Sequence, residues 1–468
     1  MTDLRPRLFR FRRDLRLDDN PGLAAAAEGG PVIPVFVLDA ETEALGAAAK
    51  WRLGQSLADL DATLRARRSR LVLRRGDPAV VLPDLARETN AGAAHWGRVY
   101  LPATAEADSR ARAALEKQGV AVVEHPGFLL REPWTIRTGA GTPFKVYTPF
   151  AKAAAADPIA ACIDAPSLSS PDNWPGSDAL EDWHLGAAMN RGAGIVAKYA
   201  RVGENAARAR LDAFLDGLVR DYARDRDRPD RDGTSGLSEN LTYGEISPRR
   251  IWHAAERAGG GGVDTFRREL LWREFAWHLI WHDPELPTRN WRRDWDAFGW
   301  RKDNADAEAW RRGMTGEPMV DAGMRELFVT GRMHNRVRMI VASYLTKNLL
   351  THWRVGLDWF ADCLTDWDPA ANAMNWQWVA GSGPDAAPFF RVFNPATQAE
   401  KFDPDRAYRR RFLADFGGRR PEPEALDFFA AAPRAWKLDP AAPAPAPLVD
   451  LGDSRKRALG AYERHRAG

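Results

Sequence analysis

Four short apolar runs rich in β-branched and aromatic residues open the chain, at Arg7 to Phe11, Pro31 to Leu38, Arg70 to Arg74 and Val120 to Glu124. Such runs read as buried strands. Helix-length stretches rich in Ala, Leu and Arg lie between them, among them Ala48 to Ser69 and Ala105 to Lys117. Strands alternating with helices predict an α/β N-terminal domain, a doubly wound parallel sheet covered on both faces, over residues 1–130. Pro, Ser, Asp and Gly then dominate from Pro158 to Gly186, which reads as a connecting segment within an interdomain stretch of residues 131–200. Beyond it, β-type runs nearly vanish. Patterns of period 3.6 cover Ala207 to Asp225, Ser247 to Ala258, Val263 to His282, Met324 to Leu350 and Trp353 to Leu364. They predict an all-α C-terminal domain over residues 201–468. The Gly259 to Gly262 run reads as a helix-capping loop, since no Lys-Ser/Thr follows to make a phosphate loop. Pro440 to Pro447 is an extended spacer and Asp453 to Arg466 a last helix.

The length of 468 residues suits two or three domains with ample core. Lys and Arg exceed Asp and Glu by only 67 − 64 = 3, so any nucleic acid is expected to meet a local basic patch. The two cysteines, Cys162 and Cys363, are far apart and fit a reducing compartment. Charge interrupts every apolar stretch, which predicts neither a membrane span nor a signal peptide, and a cytoplasmic monomer. The 19 Trp against 8 Tyr exceed what packing requires.

Three segments of the helical half carry candidate chemistry. In GTSGLSENLTYGEISPR, Thr234, Ser235 and Ser238 gather hydroxyls at a bend before a helix, which suits phosphate oxygens or a plain capping turn. In ELLWREF, Glu269, Trp272 and Arg273 share one helical face, as a binding surface or as a half-buried ion pair. In MHNRVRM, Asn335, Arg338 and Met339 repeat that spacing, and DWDPAANAMNWQW then brings Asp366, Asp368, Asn372, Trp376 and Trp378 together. Neither a metal-ligand spacing nor a Ser-His-Asp set stands out.

These segments, with FRFRRDLRLDDNPGL, FKVYTPFAKA and the stretch from Met319 to Arg391 that ends NWQWVAGSGPDAAPFFR, resemble the photolyase/cryptochrome family over nearly the whole chain. The resemblance implies an antenna domain followed by a helical domain holding FAD. It implies that Tyr222, Thr234, Ser235, Gly236, Leu237, Ser238 and Arg273 hold the FAD phosphates and flank. Asp366, Trp367 and Asp368 would approach the flavin ring, with Arg338 paired to Asp366 and Asn372 facing flavin N5. A neutral amide at that place favours a negatively charged reduced ring, where plant photoreceptors of the family carry Asp. Trp376, Trp353 and Trp300 match the indoles that pass electrons inward.

The implied activity is light-driven repair of cyclobutane pyrimidine dimers in UV-damaged DNA, and the alternatives are a blue-light photoreceptor and a non-photochemical flavin electron carrier. Repair needs the dimer out of the stack. Glu269 would bond the pyrimidine edge, Trp272 and Trp378 would pack on the bases, and Asn335 and Met339 would line the pocket. Arg226, Arg336 and Arg391 are the expected DNA contacts. His334-Asn335 stands where members acting on (6-4) photoproducts carry a His pair. Three departures stand out: Arg10 replaces the family's usual Trp, LSENL replaces a Ser-Pro helix start, and LPATAEAD at Leu101 to Asp108 lacks the folate-holding Asn-Glu pair. A methenyltetrahydrofolate held differently, a deazaflavin, or no antenna chromophore all stay open.

Overall fold

The computed structural model describes residues 5–189, 191–386, 391–414, 416, 418 and 420–467, so the APFF stretch before Arg391 lies outside the described residues. Five parallel strands form the N-terminal sheet in the order β3-β2-β1-β4-β5, with β1 at Arg7–Phe11, β2 at Val32–Leu38, β3 at Val72–Arg75, β4 at Ala93–Gly97 and β5 at Ala121–His125. The strand order reverses between β1 and β4, where a doubly wound sheet opens a crevice at its carboxyl edge. Helices Pro21–Gly29 and Ala47–Arg65 and helices Pro78–Thr89 and Pro102–Glu116 supply the sheet's helical cover, and every residue of β2 is buried between the two layers.

β4 has no counterpart among the four expected strands. Its sequence AAHWG contains no β-branched residue, yet four of its five positions are buried because it sits between β1 and β5. The expected linker also holds structure. Helix Tyr147–Ala154 packs on helix Val263–His282 through Tyr147, Phe150 and Ala154, so residues from FKVYTPFAK belong to the helical core.

Two long expected helices are interrupted. Ala207 to Asp225 becomes helix Glu204–Asp216, a bend at Gly217 and short turns at Leu218–Asp221 and Tyr222–Asp225. Met324 to Leu350 becomes helix Pro318–Thr330, helix Asn335–Ser343 and a π-helical turn at Tyr344–Asn348. Apolar periodicity continues through both breaks because each piece buries the same side. Pro369–Ala380 is a helix as well: Asp368 caps it, its Oδ1 accepting from Ala371 N at 2.9 Å, and Pro369 takes the first position. Helix Pro248–Ala258 ends at Gly259, whose N–H donates to the Ala255 carbonyl.

The loop after β1 is the peg joining the halves. Leu15 N donates to the Tyr243 carbonyl at 3.0 Å, Arg16 Nη1 to the Gly244 carbonyl at 3.0 Å, and Asp18 pairs with Arg250 at 2.7 Å. Gly244 has a φ of 68°, and a β-carbon there would collide with the Arg13 carbonyl, so the loop seats only against glycine. Beside the peg, Arg52 of helix Ala47–Arg65 is fully buried and pairs with Glu245 at 2.8 Å, and Glu239 lies 3.8 Å from it. Among the described residues no helix is long and apolar enough to cross a membrane.

Candidate active site

Thr234, Ser235 and Gly236 are half-buried, Leu237 is buried, and Ser238 begins helix Ser238–Tyr243. Among the described residues no hydrogen bond occupies the hydroxyls of Thr234, Ser235 and Ser238, which leaves them available to a ligand. The structure adds two cations that motif reading missed: Arg210 donates to the Gly236 carbonyl, and Arg332 lies beside it. Burial and the neighbouring Arg332 guanidinium push the Arg210 pKa down to about 10. Two like charges packed at one loop suit an anion. Tyr222 is buried edge-on against Phe214 and Phe266.

Arg273 supplies the test of fit. Its Nη1 donates to the Phe128 carbonyl at 3.0 Å, while its Nη2 is buried without a partner. Burial lowers its pKa, with Glu274 and Asp368 opposing. An orphaned, buried guanidinium donor fits the polar flank of a dinucleotide.

The two acids of DWD have different partners. Asp366 is paired with Arg338, whose Nη2 lies 3.0 and 2.8 Å from its two carboxylate oxygens. Asp368 Oδ2 accepts from Arg13 Nη2 at 2.9 Å and from Trp277 Nε1 at 3.1 Å. Its main-chain carbonyl accepts Asn372 Nδ2 at 3.0 Å, which fixes the rotamer of a buried amide on the first turn of helix Pro369–Ala380. Trp367 between the acids is half-buried against the helical core.

On the same helix Trp376 is buried, with its ring 4.9 Å from Phe360 and 6.2 Å from Trp310. It packs on helix Trp353–Cys363 where Gly356 leaves room, since a β-carbon at Gly356 would overlap the indole. Trp353 is buried one turn earlier on that helix, its Nε1 donating to Asn290 Oδ1 at 2.8 Å. The His352 ring lies 5.4 Å from Trp353 and 5.7 Å from the half-buried Trp300. Trp376 and Trp353 are both buried and Trp300 is half-buried, with an imidazole between the last two.

At the candidate pocket face, Glu269 pairs with Arg226, and Arg336 Nη2 lies 2.7 Å from Asp227. Burial raises the Glu269 pKa against the pull of Arg226. Neither arginine is a free cation. Trp272 has one face covered by Tyr147 at 3.5 Å, so only its other face and edges remain for a base. Trp378 Nε1 donates to the Asp385 carbonyl at 3.0 Å, Met339 is half-buried, and Asn335 is exposed at the start of its helix. His334 caps that helix through Nδ1, and burial pushes its pKa down to about 4. Arg391 is exposed beside Phe393.

The departures from the family pattern have structural partners. Arg10 is buried in β1 and pairs with Asp108 at 2.9 Å and Asp39 at 3.0 Å, its pKa lowered to about 10 chiefly by burial. Glu239 of LSENL is buried, accepting Thr365 Oγ1 at 2.7 Å. Arg12, Arg13, Arg16, Arg98, Gly127 and Phe128 line a cleft at the topological switch point. No group of three metal-ligating side chains occurs among the described residues.

Two family models match the chain: DNA photolyase over residues 7–167, and the FAD binding domain of DNA photolyase over residues 266–464. The deoxyribodipyrimidine photo-lyase of Agrobacterium fabrum is 45% identical, the alignment covering 98% of this chain and 97% of that protein. Cryptochrome-1 of Arabidopsis thaliana is 34% identical over 86% of this chain and 62% of its own length. The crystal structure of a bacterial class III photolyase from Agrobacterium tumefaciens superposes with a TM-score of 0.91 at 44% identity, over 100% of this chain and 99% of that one. An archaeal photolyase from Sulfolobus tokodaii, described with two FAD molecules that implicate a novel light-harvesting cofactor, gives 0.81 at 29% identity, over 98% and 100%. With the strand order, the helical half and these matches in agreement, the chain belongs to the DNA photolyase family.

Proposed function

We propose that the chain repairs cyclobutane pyrimidine dimers in UV-damaged DNA under blue light. When bound, FAD would supply the light-driven electron chemistry that the reaction needs. Thr234, Ser235, Gly236, Leu237 and Ser238, with Tyr222 and Arg273, hold its phosphates and flank, and Arg210 and Arg332 balance the phosphate charge. Asp366, Trp367, Asp368 and Arg338 position the ring. Trp376, Trp353 and Trp300 deliver electrons from the surface.

At the lesion, Glu269 accepts a pyrimidine N–H, Asn335 and Met339 line the pocket, and Trp272 and Trp378 offer ring surface. Arg226, Arg336 and Arg391 engage phosphates when DNA displaces their present neighbours. The protein acts as a cytoplasmic monomer, with domain boundaries near residues 130 and 200. Its antenna chromophore is a folate held without the Asn-Glu pair or a deazaflavin, and the arginine-lined switch-point cleft suits an anionic one.

Asn372 carries this reading. Its Nδ2 gives one N–H to the Asp368 carbonyl and keeps a second, so the residue would offer the flavin ring a neutral donor. The test is illumination of the reduced holoprotein with a dimer-containing oligonucleotide, products being separated by chromatography. Restored thymines under light and none in the dark are expected. Bound, light-reducible FAD without thymine recovery would assign a photoreceptor instead.

A further inference from the structure

Arg13 belongs to the N-terminal domain but ends inside the helical one. Its guanidinium lies 4.7 Å from the Phe128 ring centroid and 4.9 Å from that of Trp277, against two aromatic groups that also touch each other. Nε donates to the Thr242 carbonyl at 3.1 Å and Nη2 to Asp368 Oδ2 at 2.9 Å. Thr242 Oγ1 in turn donates to the Asp366 carbonyl at 3.3 Å. One side chain therefore holds the Asp366 to Asp368 segment directly through the Asp368 carboxylate and, by way of Thr242, through the Asp366 main-chain carbonyl. The backbone leaves it little freedom, because Leu15 and Arg16 are tied to the end of helix Ser238–Tyr243.

Asp368 is fully committed to this arrangement. Oδ2 serves Arg13 and Trp277, Oδ1 caps helix Pro369–Ala380, and the main-chain carbonyl holds the Asn372 amide. From these contacts we infer that Arg13 is a positioning residue through which the N-terminal domain sets the redox balance of the flavin; the inference rests on placing the flavin ring against Asp366, Asp368 and Asn372. A carboxylate in a dry site repels negative charge on a reduced ring, and Arg13 cancels that repulsion while fixing the turn that aims Asn372. The other cross-domain pairs have no such reach. Asp18–Arg250, Asp19–Arg249 and Arg52–Glu245 join the halves without touching the DWD segment. Lysine would keep the charge at position 13 but not the flat group that lies against both rings with two directed donors.

The test is a spectroelectrochemical titration of FAD in the purified full-length holoprotein, with the FAD-to-protein ratio measured alongside. Arg13→Gln is expected to lower the FAD potential and Arg13→Lys to recover most of it. Asp368→Asn is expected to raise it, and in that background Arg13→Gln should add no further shift, because the charge it compensates has gone. Asp18→Asn, which cuts a bridge elsewhere on the interface, should titrate like the parent. An unchanged potential in Arg13→Gln, or the same downward shift with and without Asp368, would reduce Arg13 to a domain contact and overturn the inference. If Arg13→Gln fails to retain FAD, Arg13→Lys alone and on Asp368→Asn runs the same cycle: a small downward shift confined to the Asp368 background supports the inference, and equal potentials overturn it. Parental potentials in both Asp368→Asn and Asn372→Asp would instead remove the flavin placement, and the inference with it.

Discussion

Arg336 Nη2 sits 2.7 Å from Asp227 Oδ2, so the cation proposed to meet a DNA phosphate is already occupied by a carboxylate of its own chain. Asp227 lies in RDRDRPDRD, where Arg224 and Arg231 pair with Asp225, and Arg228 pairs with Asp230. DNA must exchange phosphate for carboxylate to use Arg336. Asp227→Asn removes the competitor, and for a partly exposed pair about 0.5–1 kcal/mol is at stake. Damaged-DNA affinity should rise roughly two- to fivefold at low salt, with a salt slope steeper by up to about one phosphate contact. Titration by fluorescence anisotropy at several salt concentrations reads both, and weaker binding would count against Arg336 as a DNA contact.

Trp376, packed on Gly356, is the first indole of the proposed route. Trp376→Phe should abolish photoreduction of oxidised FAD yet leave repair by chemically pre-reduced protein intact. Transient absorption and a single-turnover repair assay separate the two effects, and normal photoreduction in the variant would break the assignment.

Glu274 carries a pH signature. It accepts the N–H groups of Leu130 and Arg131 at 2.8 and 3.1 Å, but burial prevails and raises its pKa to about 7. Folding then favours the protonated form, a stabilisation present below the unfolded pKa of about 4.4 and lost as pH rises through 7. Glu274→Gln removes this dependence. Relative to the parent it should gain on the order of 2–3 kcal/mol between pH 4.5 and pH 8, as measured by denaturant midpoints.

Substrate choice follows from His334 and Asn335. The imidazole, pushed down to about 4 by burial, is neutral at physiological pH, and the amide has no titratable proton, so neither supplies the acid needed at a (6-4) lesion. Cyclobutane dimers should be repaired and (6-4) products left untouched from pH 6 to pH 8. Glu269→Ala should slow dimer repair roughly tenfold, about 1.4 kcal/mol for one lost hydrogen bond to the pyrimidine. Product chromatography with each lesion tests both statements.

Much of this was legible in the chain. β1, β2, β3 and β5 stood out because their runs are apolar and β-branched or aromatic, and helix Val263–His282 has the expected bounds. β4 was hidden because AAHWG gains its burial only from neighbours brought together by the fold. The DWD helix was masked by its acids, although Asp-Pro is an N-cap followed by a first-turn proline. Motif reading brought forward Asp366, Arg338, Asn372 and the indoles, but their supports lie elsewhere. Arg13, Trp277, Asp227 and His352 act across 355, 91, 109 and 1 positions respectively to reach Asp368, Asp368, Arg336 and Trp353. For the first three no periodicity or local spacing encodes the encounter. His352 had a local clue in its place beside Trp353, yet only the fold brings Trp300 to its other side.

The fully buried Arg52 also bears on how this architecture can change over evolutionary time. It is the counter-charge for Glu245 and stands beside Glu239, both contributed by the flavin-binding half. Removing one partner from such a buried pair costs about 3–5 kcal/mol, a large share of the stability of an ordinary domain. A lineage that stopped using an antenna pigment could therefore not simply shed the antenna domain, because the catalytic half would be left with acids facing an emptied interface. Removing the N-terminal half should destabilise the helical half whatever pigment the sheet domain carries.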